Sequence, residues 1–184
     1  FFPMTSLLQL YSSVFNLRFG RRVWELHGKM HQKERTTISG RFRNASKGIL
    51  FTSDVSARGV DYPNVTTVVQ IGAADSRETY IHRLGRTGRA GKRGQGLLIL
   101  PELEQDFLED LEGLDIPQDD GLQKRLSGGA SKKFMNEMGP VAHDVRSGKD
   151  PKLKNAVHDA YQAMVAFYYH RYKHLGDEFV STVN

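Results

Sequence analysis

Val65-Thr66-Thr67-Val68-Val69-Gln70-Ile71, then Ser76 to Leu84, then Gly96-Leu97-Leu98-Ile99-Leu100 are the three successive pieces that decide the fold. The first is a β-branched run and reads as a strand. The second has helical spacing, and the third is an unbroken apolar strand stopped by Pro101. Working upstream, Gly48-Ile49-Leu50-Phe51-Thr52 is another buried strand, His31 to Asn44 a basic amphipathic helix, and Val23-Trp24-Glu25-Leu26 a short strand. A first helix opens near Thr5, carries Leu7, Leu8, Leu10, Tyr11, Val14, Phe15 and Leu17, and ends before Gly20. Downstream, Glu102 to Leu114 reads as an acidic helix. Strands that alternate with helices and are apolar throughout belong to a parallel sheet covered on both faces, so the expected class is α/β. Ligands of such folds sit at the carboxyl ends of the strands, which points to the loops after Leu26, Phe51, Ile71 and Leu84.

The pattern changes after Pro117-Gln118-Asp119-Asp120-Gly121. Breaks fall at Ser127-Gly128-Gly129 and Ser147-Gly148-Lys149-Asp150-Pro151, and only helical periodicity appears around them. A helix is expected from about Pro151 to His174, with Val157, Tyr161, Met164, Val165, Tyr168 and Tyr172 on one face. The expected division is therefore an α/β domain over 1–118 and an all-helical extension over 119–184. The extension is too small to bury a large core by itself and should pack on the domain.

Among 184 residues, 39% are hydrophobic and 26% charged, a composition that supports a packed core. There is no cysteine, which excludes disulfides, thiolate metal sites and a cysteine nucleophile. No apolar run approaches the roughly 20 residues that span a bilayer, so no membrane partner is expected. The opening Phe1-Phe2-Pro3 carries no presequence pattern, and the chain reads as a piece of a longer protein whose targeting segment lies elsewhere. The net charge of +5 is unevenly spread. Arg18 to Arg58 holds ten Lys/Arg against three acids, Glu102 to Asp120 nine acids and no Lys/Arg, and Gly121 to His174 ten basic residues against four acidic. Basic blocks on both sides of an acidic segment suit a polyanion.

His82-Arg83-Leu84-Gly85-Arg86-Thr87-Gly88-Arg89 carries the most specific chemistry. Its glycines let the backbone pass close to a ligand, and arginines three apart can offer fork-shaped donors to phosphate oxygens. Thr52-Ser53-Asp54-Val55-Ser56-Ala57-Arg58-Gly59-Val60-Asp61 follows a buried strand. Hydroxyls and amides there can position a phosphate backbone without reading bases, and Asp61 can accept from ribose hydroxyls. Gln32 and Arg35 lie i, i+3 on one helix face. His27 and His31 find no acidic or cysteine partner in the sequence, so no metal site is expected. Phe167, Tyr168, Tyr169 and Tyr172, interleaved with His158, His170, Arg171, Lys173 and His174, suit packing better than base stacking.

Residues 82–89 resemble motif VI of superfamily 2 helicases, and His82-Arg83 resembles the DEAD-box form. Residues 52–61 resemble DEAD-box motif V, while His27-Gly28 with Gln32-Lys33-Glu34-Arg35 resembles the elements between motifs IV and V. Phe1-Phe2-Pro3-Met4-Thr5 resembles the tail of motif IV. The resemblance covers roughly 1–115 and implies a RecA-like C-terminal domain of a DEAD-box RNA helicase. The helical extension resembles that of fungal mitochondrial DEAD-box proteins that chaperone RNA in intron splicing, which implies the mitochondrial matrix.

The resemblance also implies roles. Arg86 and Arg89 would be arginine fingers on ATP, with Asp61 and Gly59 at the nucleotide. His27, Gly28, Gln32, Arg35, Thr52, Ser53, Asp54, Arg58 and Gly59 would face RNA, single-stranded or duplex, and His82 and Arg83 would couple the two sites. ATP and magnesium would bind mainly to an N-terminal RecA-like domain that supplies the phosphate loop and the DEAD box, both missing here. This stretch alone should therefore be inactive, and a monomer is expected. The rival is a non-enzymatic RNA-binding or annealing module on the same scaffold. A DNA-directed relative is disfavoured by His82 and by the 52–61 string.

Overall fold

The computed structural model describes residues 1–18, 23–56, 61–127 and 132–172. In chain order the elements are α1 (Thr5–Arg18), β1 (Val23–Leu26), α2 (Gln32–Arg43), β2 (Ile49–Thr52), β3 (Thr67–Ile71), α3 (Arg77–Leu84), β4 (Gln95–Ile99), α4 (Phe107–Asp110), α5 (Asp120–Ser127), α6 (Lys132–Ser147) and α7 (Pro151–Arg171). Short 3-10 turns sit at Asp54–Ser56 and Glu102–Glu104. All pairings are parallel: β1 with β2, Leu26 opposite Thr52, and β3 with β4, Ile71 opposite Ile99.

The start of the chain joins the two pairs. Phe2 N donates to Thr52 O at 2.9 Å, while Phe1 N donates to Val69 O and Phe1 O accepts from Ile71 N. Ahead of this bridge, β2 and β3 diverge around a cavity of about 750 Å³ bordered by Phe15, Phe42, Phe51, Tyr62 and Val68. Phe51 meets Phe2 and Phe15 edge-on at 4.9 and 5.2 Å. Gly48 is required where β2 begins, because a Cβ there would lie 2.0 Å from the Trp24 indole.

Two apolar clusters hold the layers. Ala73, Ala74, Tyr80, Phe107 and Leu111 join α3 to the segment after β4. Val14 of α1, Val141 of α6 and Leu153 of α7, backed by Leu10, Met138 and Val145, join the extension to the first helix. Asp150 caps α7, its carboxylate accepting from Leu153 N at 3.0 Å, and Pro151 occupies the first turn, where its missing N–H costs nothing.

Two expectations are corrected. The acidic helix over 102–114 is instead a 3-10 turn and a single helical turn, α4. Six acids with no i+4 Lys or Arg give that stretch no side-chain support as a helix. Tertiary bonds take over: Glu104 turns inward, and Arg77 Nη1 donates to the carbonyls of Asp110 and Glu112 at 3.1 and 2.7 Å. On α7 the docked face is Leu153, Ala160, Tyr168 and Tyr172, whereas Tyr161 is exposed together with Tyr169. The expected stripe was drawn one position too wide around the helix, since Tyr161 directly follows Ala160 and points about 100° away. His174 lies outside the described residues.

Candidate functional site

Residues 61–66 and 85–94 fold together at the amino ends of β3 and β4, so the loop after Leu84 does not sit at the carboxyl edge where it was expected. Thr87 Oγ1 donates to Val65 O at 2.6 Å, and Lys92 Nζ to Asn64 Oδ1 at 2.6 Å. Gly88 has φ +67, and a Cβ on Gly94 would stand 2.4 Å from Gly88 N, so the loop folds back on itself only with glycine at both places. Arg89 Nη1 meets Asp61 Oδ1 at 2.7 Å while its Nε donates to Gly85 O at 2.7 Å. Arg86 Nε donates to His82 O at 3.1 Å, and burial, with Arg89 nearby, lowers its pKa from the usual arginine value. Arg43 Nε adds a third guanidinium by donating to Asp61 O at 3.0 Å. Both candidate fingers and the candidate ribose acceptor thus share one exposed cationic surface. In this structure the two arginines are drawn back onto their own turn.

Arg83 points the other way. It is 1% exposed, and its Nε and Nη2 donate to Asp54 Oδ1 and Oδ2 at 2.6 and 2.8 Å. The pair ties α3 to the turn after β2, the geometry a coupling residue needs. Both Asp54 carboxylate oxygens are taken by Arg83, while the side chain stays partly exposed beside the expected RNA-facing segment. Removing that carboxylate strands a buried cation. Asp54→Ala is expected to destabilise toward the lower end of the about 3–5 kcal/mol that breaking a buried pair costs, because Asp54 stays partly hydrated. Urea melts should show a lower midpoint at unchanged slope.

Thr52 is likewise engaged within the protein. It is buried, and its hydroxyl donates to Leu26 O at 2.8 Å, which also accepts from Ser53 N at 3.3 Å. These groups close the β1–β2 edge, with Ser53 half-buried. His27 is 4% exposed, 3.5 Å from Gln9 Nε2 and 3.7 Å from Glu25, an acidic neighbour the spacing had not disclosed. Desolvation lowers its pKa, partly opposed by Glu25. The Gly28 turn beside it is exposed, and Met30 N donates to His27 O across it. Gln32 and His82 are exposed and Arg35 half-exposed on their helices. Arg58 and Gly59 lie outside the described residues.

Residues 1–91 match the family described as helicase conserved C-terminal domain. The ATP-dependent RNA helicase cyt-19, mitochondrial, of Neurospora crassa is 43% identical over 129 residues, 67% of this chain and 21% of that protein. DEAD-box ATP-dependent RNA helicase 31 of Arabidopsis thaliana is 55% identical over 94 residues, 51% of this chain and 13% of that protein. The chain carries a DEAD-box helicase C-terminal domain. Its RecA-like fold is shared with Mss116p helicase domain 2 bound to an RNA duplex, at a TM-score of 0.64 and 26% identity over 97% of this chain and 65% of that one. Mss116p bound to single-stranded RNA and AMP-PNP gives a TM-score of 0.64 at 25% identity, over 97% of this chain and 32% of that one. This helicase C-terminal domain therefore spans about a fifth or less of the curated relatives' length.

Buried Glu104, against the loop after β3, is a polar group that sequence reasoning missed. It lies in the acidic run, where every neighbour suggests solvent, and only the flanking Leu103 and Phe107 hint at an inward turn.

Proposed function

We propose that this chain is the C-terminal half of the catalytic core of an ATP-dependent DEAD-box RNA helicase, 1–118 being the RecA-like domain and 119–184 its helical extension. The observation that carries the reading is the Arg89–Asp61 contact, which brings Asp61 and the turn after α3 to one surface. Its cationic forks and carboxylate suit the phosphate and ribose ends of a nucleoside triphosphate. The phosphate loop, the DEAD box and the magnesium ligands belong to the preceding domain. When the domains close on ATP and RNA, Arg86 and Arg89 leave their own turn's carbonyls and Asp61 for the γ-phosphate. Fingers supplied this way contribute about 10³–10⁵ in rate, so closure makes hydrolysis depend on bound RNA.

RNA would lie along the Gly28 turn and the Gln32/Arg35 face of α2. Gripping one strand through phosphates and 2′-hydroxyls, without base readout, would separate short duplexes locally. The cyt-19 relative, named mitochondrial, supports a mitochondrial address; an RNA-chaperone role in intron splicing and a monomeric state are parts of the same proposal. RNA-stimulated ATP hydrolysis by the whole protein tests the reading, and its absence would favour the annealing module. A second test needs only this chain. Its RNA affinity should fall linearly in log–log form with salt, with a slope of about −0.7 per phosphate contacted on single strands. A flat response in salt titrations, or equal binding of DNA of the same length, would remove the RNA-backbone grip.

A further inference from the structure

Glu104 takes no part in the scheme above, yet it is fully buried, at 0% exposure. Its Oε2 accepts from Ala73 N at 2.5 Å, in the loop between β3 and α3. The carboxylate also lies against Gly72, whose φ of +77 and lack of Cβ let it approach: a Cβ there would stand 3.1 Å from Oε2. From the other side comes the end of α7. The Tyr168 phenol is within hydrogen-bonding reach of the carboxylate, and burial, then the Glu104 charge, raise its pKa. One turn on, Arg171 Nη2 donates to Ala74 O at 3.3 Å and its Nη1 lies 3.9 Å from Asp75, with Phe167 under its guanidinium. Tyr172 closes the contact at 4% exposure.

The next residue after this loop is Ser76, the N-cap of α3, which accepts from Thr79 N at 3.2 Å. Eight residues later the same helix ends at Leu84, and Arg86 and Arg89 follow. Helix α3 is thus held at its carboxyl half by Arg83 on Asp54 and at its start by a loop wedged between Glu104 and the extension. A buried carboxylate is costly unless hydrogen-bonded, so any arrangement that withdraws Tyr168 is penalised and the loop is kept in one position.

We infer that Glu104 is a positioning residue: it latches the end of α7 onto the 72–75 loop, so that the helical extension sets the placement of the arginine-bearing helix and thereby the rate of ATP hydrolysis. This rests on the function proposed above for Arg86 and Arg89. It gives the extension a role in the chemistry that does not pass through RNA.

Tyr168→Phe removes one hydroxyl and keeps the ring. In the whole helicase it should lower kcat for RNA-stimulated hydrolysis by about 5- to 10-fold, since small misplacements of catalytic groups are costly, with RNA affinity and the KM for ATP within about 2-fold. Glu104→Gln should do the same, and the double variant should be no worse than the poorer single one. Val141→Ala, which loosens the extension away from the latch, should lower the melting temperature and leave kcat alone. In the 184-residue chain, Tyr168→Phe should speed hydrogen exchange of the Ala73, Ala74 and α3 amides by about tenfold or more. Unchanged exchange there, unchanged kcat, or an equal kcat loss in Val141→Ala would each overturn the latch. If the parent enzyme shows no RNA-stimulated turnover, the proposed function fails, and unchanged exchange would still refute the latch on its own.

Discussion

Replacing Arg89 with alanine in the whole helicase is expected to lower ATP turnover at saturating RNA by at least about two orders of magnitude. Affinity for RNA should barely move. The physical ground is that a finger acts on charge that develops in the transition state, when the guanidinium is desolvated against the γ-phosphate, and contributes little to ground-state binding. The structure adds a consequence for its neighbour. Asp61 holds Arg89 at 2.7 Å, so Asp61→Asn should release the arginine early and weaken the contact proposed for Asp61 with ribose. It should therefore raise the KM for ATP more than it lowers kcat, which separates the two side chains in steady-state kinetics. Arg89→Ala with unchanged turnover would end its assignment as a finger, and Arg86→Ala faces the same test.

Deleting 119–184 is the second large effect expected. The deletion uncovers Val14 and Leu10 on α1 and removes Val141 and Leu153, which cover them. Burial contributes roughly 1.5–3 kcal/mol for each large apolar side chain, against a total stability of about 5–15 kcal/mol for a domain. The deletion also takes away Tyr168 and Arg171 from the Glu104 loop. A melting temperature lower by ten degrees or so is expected, at about 2–4 °C per kcal/mol for a chain of this size. RNA binding should weaken in parallel, because ten Lys/Arg of 121–174 go with it. Reversing Lys152 and Lys154, both exposed, should weaken binding at low salt and leave melting alone. Unchanged melting on truncation would mean that the extension contributes no net stability.

Strand and helix identities were legible because each depends on local pattern. The β-branched run before Ile71 and the apolar run before Pro101 became β3 and β4, and α3 lies within the expected 76–84 stretch. Glycine positions carried more than conformation. Gly88 was readable as a close backbone approach to a ligand, although not as an approach to Gly94. Hydroxyls and carboxylates were less legible. Thr52 and Asp54 stand beside a ligand edge in the sequence, but a buried carbonyl and a buried guanidinium claim them first.

The amino-acid sequence by itself determined the α/β alternation, the helical extension and the cationic 82–89 segment with its resemblance to DEAD-box helicases. These follow from periodicities of two and 3.6 residues and from residue types at fixed spacing, which any reader of one strand of sequence can measure. Only the tertiary structure decided which polar groups are spent inside the protein. Asp54 on Arg83, Thr52 on Leu26, and Glu104 on Ala73 and Tyr168 are pairings across 29, 26, 31 and 64 residues. A buried charge must find its partner wherever the chain brings one, and that separation leaves no mark in local pattern.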